Sequence, residues 1–325
     1  MRIMFFVLLL TVLMGCSRVE NNSGEYTRFN FMSINIFDTI TNIVGYTATE
    51  EEFNYYAVEI IYNELTRLFR LFDAFNEYPG INNIYTINKN AGRAPVEVDC
   101  DIIELLKIGK EAYELTNGAV NITIGPVTKI WREYINTAKP ILPCMDVLRA
   151  ANEFTNINNI IIDEERSTVF LPVEGMLLDV GSIGKGYAIE RTAQKAMAAG
   201  FESFIISIGG DIRLADGPRG GTRDTWGVGV LDPYNPDEFI HSIFAANTAV
   251  FTSGGYLRYY EVDGVKYHHI IDPITLMPAN RVNSVTIVHP DGITAEILSL
   301  AAFITGEDGI TGLLEELEAD AIFIY

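Results

Sequence analysis

Leu-Leu-Asp-Val-Gly-Ser-Ile-Gly-Lys-Gly-Tyr-Ala, residues 177–188, is the stretch around which this chain is organised. The pattern predicts a short strand over residues 176–178, a glycine-rich turn, and a helix over residues 185–199 that ends at Gly200. The glycines allow a ligand to approach the backbone closely, the helix N-terminus favours an anion, and Lys185 adds a full positive charge. Taken alone, the motif is equally typical of a tight strand-to-helix turn. It is not a Walker loop, because no Ser or Thr follows the lysine.

The composition indicates a folded, acidic protein. The chain has 325 residues, of which 48% are hydrophobic, and its formal net charge is −20 at pH 7. This hydrophobic fraction indicates a sizeable core, and the negative charge argues against binding of nucleic acid through bulk electrostatics. An anionic ligand would therefore have to be held by local positive groups or by a metal ion.

The N-terminus carries a targeting signal rather than part of the fold. A positively charged start precedes a short apolar run that ends in Leu-Met-Gly-Cys at Cys16. This pattern predicts a lipoprotein signal peptide over residues 1–16, with the lipid on Cys16, and the run is too short to span a bilayer comfortably. Residues 17–25 are polar and predict a flexible tether. We therefore expect residues 26–325 to form one domain that is anchored to the cell membrane and faces outside the cytoplasm, on the periplasmic side or the cell surface.

Two cysteines remain after Cys16, namely Cys100 and Cys144. In an exported protein they could form a disulfide or stay as two buried thiols, and their spacing does not decide between these alternatives. The chain has no Cys-x-x-Cys motif and so lacks the usual signature of a zinc site.

Periodicity predicts a mixed α+β domain. Strands are expected over residues 26–46, 203–214, 226–231, 284–289 and 321–325, and helices over residues 51–72, 101–116, 294–305 and 310–318. Many short strands with few helices favour an α+β body over a regular series of βαβ units.

Several motifs follow one another in a defined order. They are Asn88, Gly-x-x-Asn-Ile-Thr-Ile-Gly-Pro at residues 118–126, Asp-Val-Gly-Ser-Ile-Gly-Lys-Gly-Tyr-Ala at 179–188, Ile-Gly-Gly-Asp at 208–211, Thr-Ser-Gly at 252–254 and His-Ile-Ile-Asp-Pro at 269–273. Each motif alone has an ordinary structural explanation. In this order they resemble the ApbE-type family of FAD:protein FMN transferases, from about Phe29 to the end of the chain.

The resemblance implies both a fold and a reaction. The fold is a T-fold-like core of mostly antiparallel sheets with packed helices. Members of the family bind FAD and, with a divalent cation, cut its pyrophosphate, move FMN onto a Ser or Thr hydroxyl of a partner protein, and release AMP. We therefore expect FAD as the substrate, Mg²⁺ or another divalent cation as the cofactor, and an exported redox protein with a Ser/Thr target motif as the acceptor.

The resemblance also implies roles for residues of this chain, motif by motif. FAD contacts fall on Phe37, Phe75, Ala119, Val120, Asn121, Asp179, Lys185 and Ile271. Metal ligands fall on Ser182 and on the helix that contains Glu296. That helix departs from the family pattern Ala-Asp-Ala-Leu-Ala-Thr, because Glu296 replaces the ligand aspartate and Leu300 replaces the ligand threonine. Since residues three apart share a helix face, Ser299 could supply the missing oxygen.

Transfer to a hydroxyl requires a nearby base. His269 is our first candidate, with Asp272 to orient it or to share its role. The alternative is that the segment Tyr267-His268-His269 only lines the pocket for the adenine or the isoalloxazine ring, since a lone histidine near an apolar run is more often structural. Phosphoryl transfer depends mainly on positioning and charge neutralisation, for which Lys185 and the metal ion are the candidates.

Three functions are consistent with the sequence. The first is the flavin transferase, and the second is an FAD pyrophosphatase, in which water replaces the protein hydroxyl and the products are FMN and AMP. The third is a non-enzymatic FAD-binding lipoprotein with a degenerate metal site, for which Glu296 and Leu300 are the main support. Release of AMP would distinguish the enzymes from the binding protein.

Overall fold

The structure is a computed structural model, and it describes residues 26–37, 39–135, 141–220, 223–235 and 237–325. The predicted signal peptide, Cys16 and the tether lie outside these residues. Within the described ranges, no helix is both long enough and apolar enough to cross a membrane.

Strands and helices alternate irregularly along the chain. The strands are β1 (Thr27–Ile36), β2 (Thr39–Thr47), β3 (Val96–Glu97), β4 (Ile161–Asp163), β5 (Thr168–Phe170), β6 (Phe204–Ile208), β7 (Asp211–Leu214), β8 (Trp226–Leu231), β9 (Phe239–Ala245), β10 (Thr248–Gly254), β11 (Tyr259–Val262), β12 (Val265–His268), β13 (Ser284–His289) and β14 (Asp320–Ile324). The helices are α1 (Glu50–Asn54), α2 (Asn63–Phe72), α3 (Ile84–Lys89), α4 (Cys100–Leu115), α5 (Gly125–Ile135), α6 (Met145–Asn152), α7 (Gly184–Ala198), α8 (Gly292–Thr305) and α9 (Glu307–Glu316). A π-helical segment, Tyr55–Tyr62, joins α1 to α2.

A seven-stranded sheet forms the centre of the domain. Its order is β1-β2-β6-β7-β10-β13-β14, and every neighbouring pair in it is antiparallel. Three smaller antiparallel sheets accompany it, with the orders β3-β5-β4, β8-β9 and β11-β12. The predicted α+β class with mostly antiparallel sheets is therefore confirmed.

Helices cover one face of the large sheet and enclose the main core. The helices α2, α7 and α8 pack on this face and on one another. The apolar stripe that the sequence predicts for the first long helix is buried here, at residues Ala57, Ile61, Leu65, Leu68 and Phe72. Ala57 and Ile61 lie in the π-helical segment and the other three residues in α2, and their spacing of three or four residues directs one side of this helical element into the core.

The β8–β9 hairpin covers part of the opposite face. Val250 of β10 packs there with Trp226 and Val228 of β8. The next residue, Phe251, packs in the main core instead. Successive side chains of a strand point to opposite faces, so β10 contributes to both cores and the sheet lies between two layers.

The organising stretch differs from its prediction in one respect. Residues 176–178 do not form a strand. The side chain of Asn88 replaces a neighbouring strand, because its Nδ2 donates to Leu178 O at 2.9 Å and its Oδ1 accepts from Leu178 N at 2.7 Å. The helix that follows is α7, and Gly200 has a φ of +97°, as expected for a glycine just beyond a helix C-terminus.

Two other expectations also need correction. Cys100 and Cys144 are both free and exposed, so neither the disulfide nor the pair of buried thiols occurs. The described residues also hold more helices than the sequence indicated. Helices α5 and α6 have only 11 and 8 residues, and such short segments carry a weak periodic signal.

Candidate active site

The candidate site lies where several strands of the large sheet end together. The strand β6 turns into β7 through Gly209 and Gly210, whose φ values of +62° and +99° favour glycine. This turn brings Asp211 to the start of β7. The backbone N–H of Thr252, near the end of β10, donates to Asp211 Oδ1 at 3.2 Å. Two strands and their connections thus converge on one buried carboxylate.

Helix α7 begins beside this carboxylate and lies directly against α8. Gly186 N donates to Glu296 Oε2 at 2.7 Å. A Cβ on Gly186 would lie 2.8 Å from the side chain of Glu296 and from Gly292 O, so only glycine permits this approach. The glycine turn and the acidic helix, which are 110 residues apart in the sequence, are therefore in direct contact.

Lys185 lies between two buried acids. Its Nζ contacts Asp211 Oδ2 and lies 3.4 Å from Glu296 Oε1. Burial by itself would lower the pKa of Lys185, but the negative charges of Asp211 and Glu296 outweigh it and raise that pKa above its ordinary value. Lys185 is therefore a charged ammonium at neutral pH.

Glu296 is held in an environment that opposes its ionisation. Burial raises the pKa of its carboxyl to about 7, and the charge of Lys185 offsets this only in part. The negative charge of Asp211 acts in the same direction as burial, whereas the hydrogen bond from Gly186 N favours the carboxylate. The raised pKa means that the Glu296 carboxyl changes its protonation state near neutral pH, whereas an ordinary glutamate is fully ionised there.

Two hydroxyl groups lie on the segments that form this charged cluster. Ser182 Oγ, in the glycine turn, is buried and has no hydrogen-bond partner among the described residues. Ser299 Oγ lies 3.0 Å from Ser253 Oγ and donates to Glu296 O at 3.0 Å. Ser299 and Glu296 are both buried residues of α8, and Leu300 packs against the main core.

A cleft of about 370 Å³ opens beside the start of the organising stretch. Asp179 lines it and accepts from Thr128 Oγ1 at 2.8 Å and from an Arg132 guanidinium nitrogen at 3.4 Å. Phe75 lines the same cleft and is 55% exposed, with the Arg132 guanidinium 4.1 Å from its ring centroid. Lys129 also lines this cleft, which gives an acidic protein a local cationic surface.

The predicted segment 119–121 lies deeper in the domain. The side chains of Ala119 and Val120 are buried in the main core, so these residues could contact a ligand only through their backbone. Asn121 Oδ1 accepts from Thr123 N at 2.9 Å and from Thr123 Oγ1 at 2.6 Å. Asn121 also borders a second cleft, of about 450 Å³, which includes Gly118.

His269 has the properties of a neutral base. Its ring is partly open to solvent, and its Nδ1 lies 3.4 Å from Arg258 O. The surrounding protein desolvates the ring, and the positive charge of Lys185 acts in the same direction, so the pKa of His269 lies below its ordinary value. His269 is therefore neutral at pH 7.

Two residues that follow His269, Ile271 and Asp272, make contacts that stabilise the backbone of this segment. Asp272 Oδ1 accepts from Ile274 N at 2.7 Å and from Thr275 N at 3.3 Å, so its carboxylate stabilises the turn that follows. Ile271 is buried and pairs with Pro278 in an isolated bridge.

Phe37 stands apart from these groups at the tip of the β1–β2 hairpin. It has a φ of +54°, and its ring packs edge-on against Phe69 with the centroids 5.3 Å apart. The hairpin reaches the site through the hydrogen bond from Gly209 N to Ile40 O, at 3.0 Å.

Sequence reasoning missed one central residue of the cluster. Asp211 received no role, although Gly-Gly-Asp was among the motifs that carried the resemblance. The double glycine followed by an acid was the available signal.

Another group of potential metal ligands, Asp99, Cys100 and Asp101, lies at the start of α4, where Arg67 bonds both carboxylates.

Comparisons with known proteins agree with this arrangement. A model of the ApbE family matches residues 37–323. An FAD:protein FMN transferase of Klebsiella pneumoniae (strain 342) is 32% identical over 266 residues, which cover 80% of this chain and 81% of the relative. One of Treponema pallidum (strain Nichols) is 33% identical over 253 residues, which cover 74% and 69%.

Solved structures share the fold. The ApbE protein from Thermotoga maritima matches with a TM-score of 0.80 and 29% identity, over 91% of this chain and 94% of the other. The flavin transferase ApbE from Vibrio cholerae matches with a TM-score of 0.75 and 23% identity, over 92% and 93%.

Proposed function

This chain belongs to the ApbE family, and from that premise we propose that it transfers FMN from FAD to a Ser or Thr hydroxyl of a partner protein and releases AMP. One observation carries the proposal: Gly186 N bonds Glu296 at 2.7 Å, so the glycine turn, Lys185 and the acidic helix form one cluster. A diphosphate is an anion, and a charged lysine at a helix N-terminus is the kind of group that binds it.

The oxygen donors in the cluster fit a divalent cation. Ser182 Oγ, the carboxylate of Glu296 and Ser299 Oγ would hold it, and Mg²⁺ prefers such oxygen ligands. The buried and unpartnered Ser182 Oγ supports this assignment, because an orphaned buried hydroxyl costs free energy unless a ligand satisfies it. When bound, the ion would neutralise the diphosphate and make its phosphorus more electrophilic.

His269 would take the proton from the acceptor hydroxyl. Its lowered pKa keeps it neutral, as a general base requires, and its exposed side leaves room for a protein substrate. If Nδ1 donates to Arg258 O, then Nε2 carries the lone pair that accepts the proton. The hydroxyl oxygen then bonds to the FMN phosphorus, and the bond from that phosphorus to the bridging oxygen of AMP breaks. We assign Asp272 to holding the turn rather than to proton transfer.

FAD would extend from this cluster into the neighbouring clefts. Asp179 and Phe75 line the nearer cleft, which also presents Arg132. Phe37, Ala119, Val120, Asn121 and Ile271 remain proposed FAD contacts through the family resemblance. For Ala119 and Val120, burial of the side chains limits such contacts to the backbone.

A non-enzymatic FAD-binding protein is the second candidate. The observation that favours it is that the Glu296 carboxylate is already bonded by Lys185 and by Gly186 N, while Leu300 offers no oxygen.

On either proposal, we infer from the motif at Cys16 that the protein is a lipoprotein facing outside the cytoplasm, where its acceptor would be an exported redox protein.

Product analysis tests these proposals. Purified protein is incubated with FAD, Mg²⁺ and an exported flavoprotein domain that has a Ser/Thr target motif. The transferase produces AMP and an acceptor whose mass increases by FMN less one water. Equal AMP with unmodified acceptor would identify the pyrophosphatase. FAD binding without AMP under any divalent cation would identify the binding protein.

A further inference from the structure

Two buried carboxylates share one cation in this structure. Asp211 is 4% exposed and Glu296 is 5% exposed, and both contact the ammonium nitrogen of Lys185. A buried carboxylate is stable only when it is paired or hydrogen-bonded, so the ammonium marks a position where the protein stabilises positive charge. Asp211 comes from the sheet and Glu296 from α8, so the fold itself determines their spacing.

The family resemblance implies no role for Asp211, and Leu300 stands where the resemblance implies a threonine ligand. Asp211 Oδ2 points to the ammonium, while Oδ1 is held by the backbone of Thr252. A carboxylate with one oxygen fixed by the backbone and the other directed at a cation has the geometry of a monodentate metal ligand.

We propose that Asp211 is a ligand of the divalent cation together with Glu296, and that the Lys185 ammonium occupies the position of the ion until the diphosphate of FAD draws the lysine away. This inference rests on the proposed function, because it takes FAD as the ligand that supplies the diphosphate. It adds a ligand that compensates for Leu300, and it makes binding of the ion depend on binding of FAD.

The charges explain this dependence. Lys185 and the two carboxylates together carry one negative charge when both acids are ionised. Adding a divalent ion while the lysine remains would leave a net positive charge in a buried cluster, which is unfavourable at low effective dielectric. The diphosphate of FAD adds two negative charges, pairs with the displaced lysine and makes room for the ion. Metal and FAD should therefore bind with positive cooperativity.

Binding of Mn²⁺, followed by electron paramagnetic resonance, tests the proposal on the full folded domain. The ion is titrated alone and in the presence of saturating ADP-ribose, a diphosphate that lacks the flavin. For wild type, ADP-ribose should tighten Mn²⁺ binding by at least about tenfold. Asp211→Asn should lose at least about tenfold of this affinity with ADP-ribose present, because one charged ligand is removed. The amide of the variant can still accept from Thr252 N, so the fold should persist.

Two further variants make the result specific. Lys185→Met should bind Mn²⁺ alone at least about tenfold more tightly than wild type, because the competing ammonium is gone. Asp216→Asn removes an exposed charge just beyond the other end of the same strand, and it should change neither titration.

Three results would overturn the proposal: Asp211→Asn within twofold of wild type, equal Mn²⁺ affinity of wild type with and without ADP-ribose, or no gain in Lys185→Met. If the proposed function is wrong, the product analysis will detect no AMP released from FAD, and this outcome is separate from the Mn²⁺ titrations. The titrations of Mn²⁺ alone are independent of that result.

Discussion

Replacing Glu190 by alanine should strongly destabilise the domain, because Glu190 joins the two helices that form the site. This residue of α7 accepts hydrogen bonds at Oε2 from Arg213 Nε at 2.8 Å and from Gly292 N at 2.9 Å. Gly292 is the first residue of α8, the helix that carries Glu296. The side chains of Arg213 and Glu190 are only 8% and 4% exposed.

The size of the effect follows from what remains after the change. Removing one partner of a buried ion pair leaves the other charge buried and unpaired, at a cost of about 3–5 kcal/mol. Arg213 would keep its bonds to the carbonyl oxygens of Leu214 and Thr248. We therefore expect the free energy of unfolding to fall by about 3 kcal/mol, the lower end of that range.

Urea unfolding at pH 7, followed by tryptophan fluorescence, measures this loss. Glu202→Ala is the matched control, because Glu202 pairs with Arg219 on the surface, with side-chain exposures of 54% and 35%. Such an exposed pair contributes about 1 kcal/mol or less. The double variant Glu190→Leu/Arg213→Met should regain at least half of the loss, because neither buried charge then remains. A loss below about 1 kcal/mol in Glu190→Ala would refute the role assigned to this pair.

Three further predictions concern the site. His269→Ala should slow FMN transfer by at least about 100-fold and leave FAD affinity, measured by flavin fluorescence, within about twofold; unchanged transfer would remove His269 from the mechanism. Asp179→Ala should weaken FAD binding by about tenfold, because it removes a charged contact in the cleft, and an unchanged titration would place FAD elsewhere. The pKa of Glu296 is about 7 in the folded protein, so the folded state holds the carboxyl proton more tightly than the unfolded chain does. The free energy of unfolding therefore falls, through this group, as the pH rises from about 4.5 to about 7. Glu296→Gln should therefore gain stability relative to wild type as the pH rises from 5 to 8, by up to about 3 kcal/mol in urea unfolding, and a constant difference across this range would contradict the shift.

Features set by local pattern were predictable from the sequence. The strand predicted over residues 284–289 has those bounds in the structure as β13, and the stripe from Ala57 to Phe72 is buried as expected. For the stripe, the spacing of three or four residues between apolar side chains determines which side faces the core, whereas the first four residues of β13 are all buried. The α+β class followed from many short strands with few helices, whereas the mostly antiparallel core was implied by the family resemblance.

Features set by distant partners were not predictable in the same way. Residues 176–178 resemble a strand in composition, but the side chain of Asn88, 90 residues away, takes the hydrogen bonds that a neighbouring strand would make. A Gly-Gly-Asp sequence is common in turns and by itself assigns no role to Asp211, so only the contact with Lys185 distinguishes this residue. Asp272 has a motif position that indicates catalysis, whereas its hydrogen bonds stabilise a turn. Chemistry at a site depends on contacts across the fold, which no local pattern contains.

A crystal structure of the His269→Ala variant with FAD and Mn²⁺ tests the central claim most directly. The account predicts that the diphosphate lies within hydrogen-bonding distance of Lys185 Nζ. The anomalous signal of the ion should lie between the glycine turn at Ser182 and the carboxylate of Glu296. A diphosphate bound away from both segments, or an ion with ligands from neither, would contradict the account.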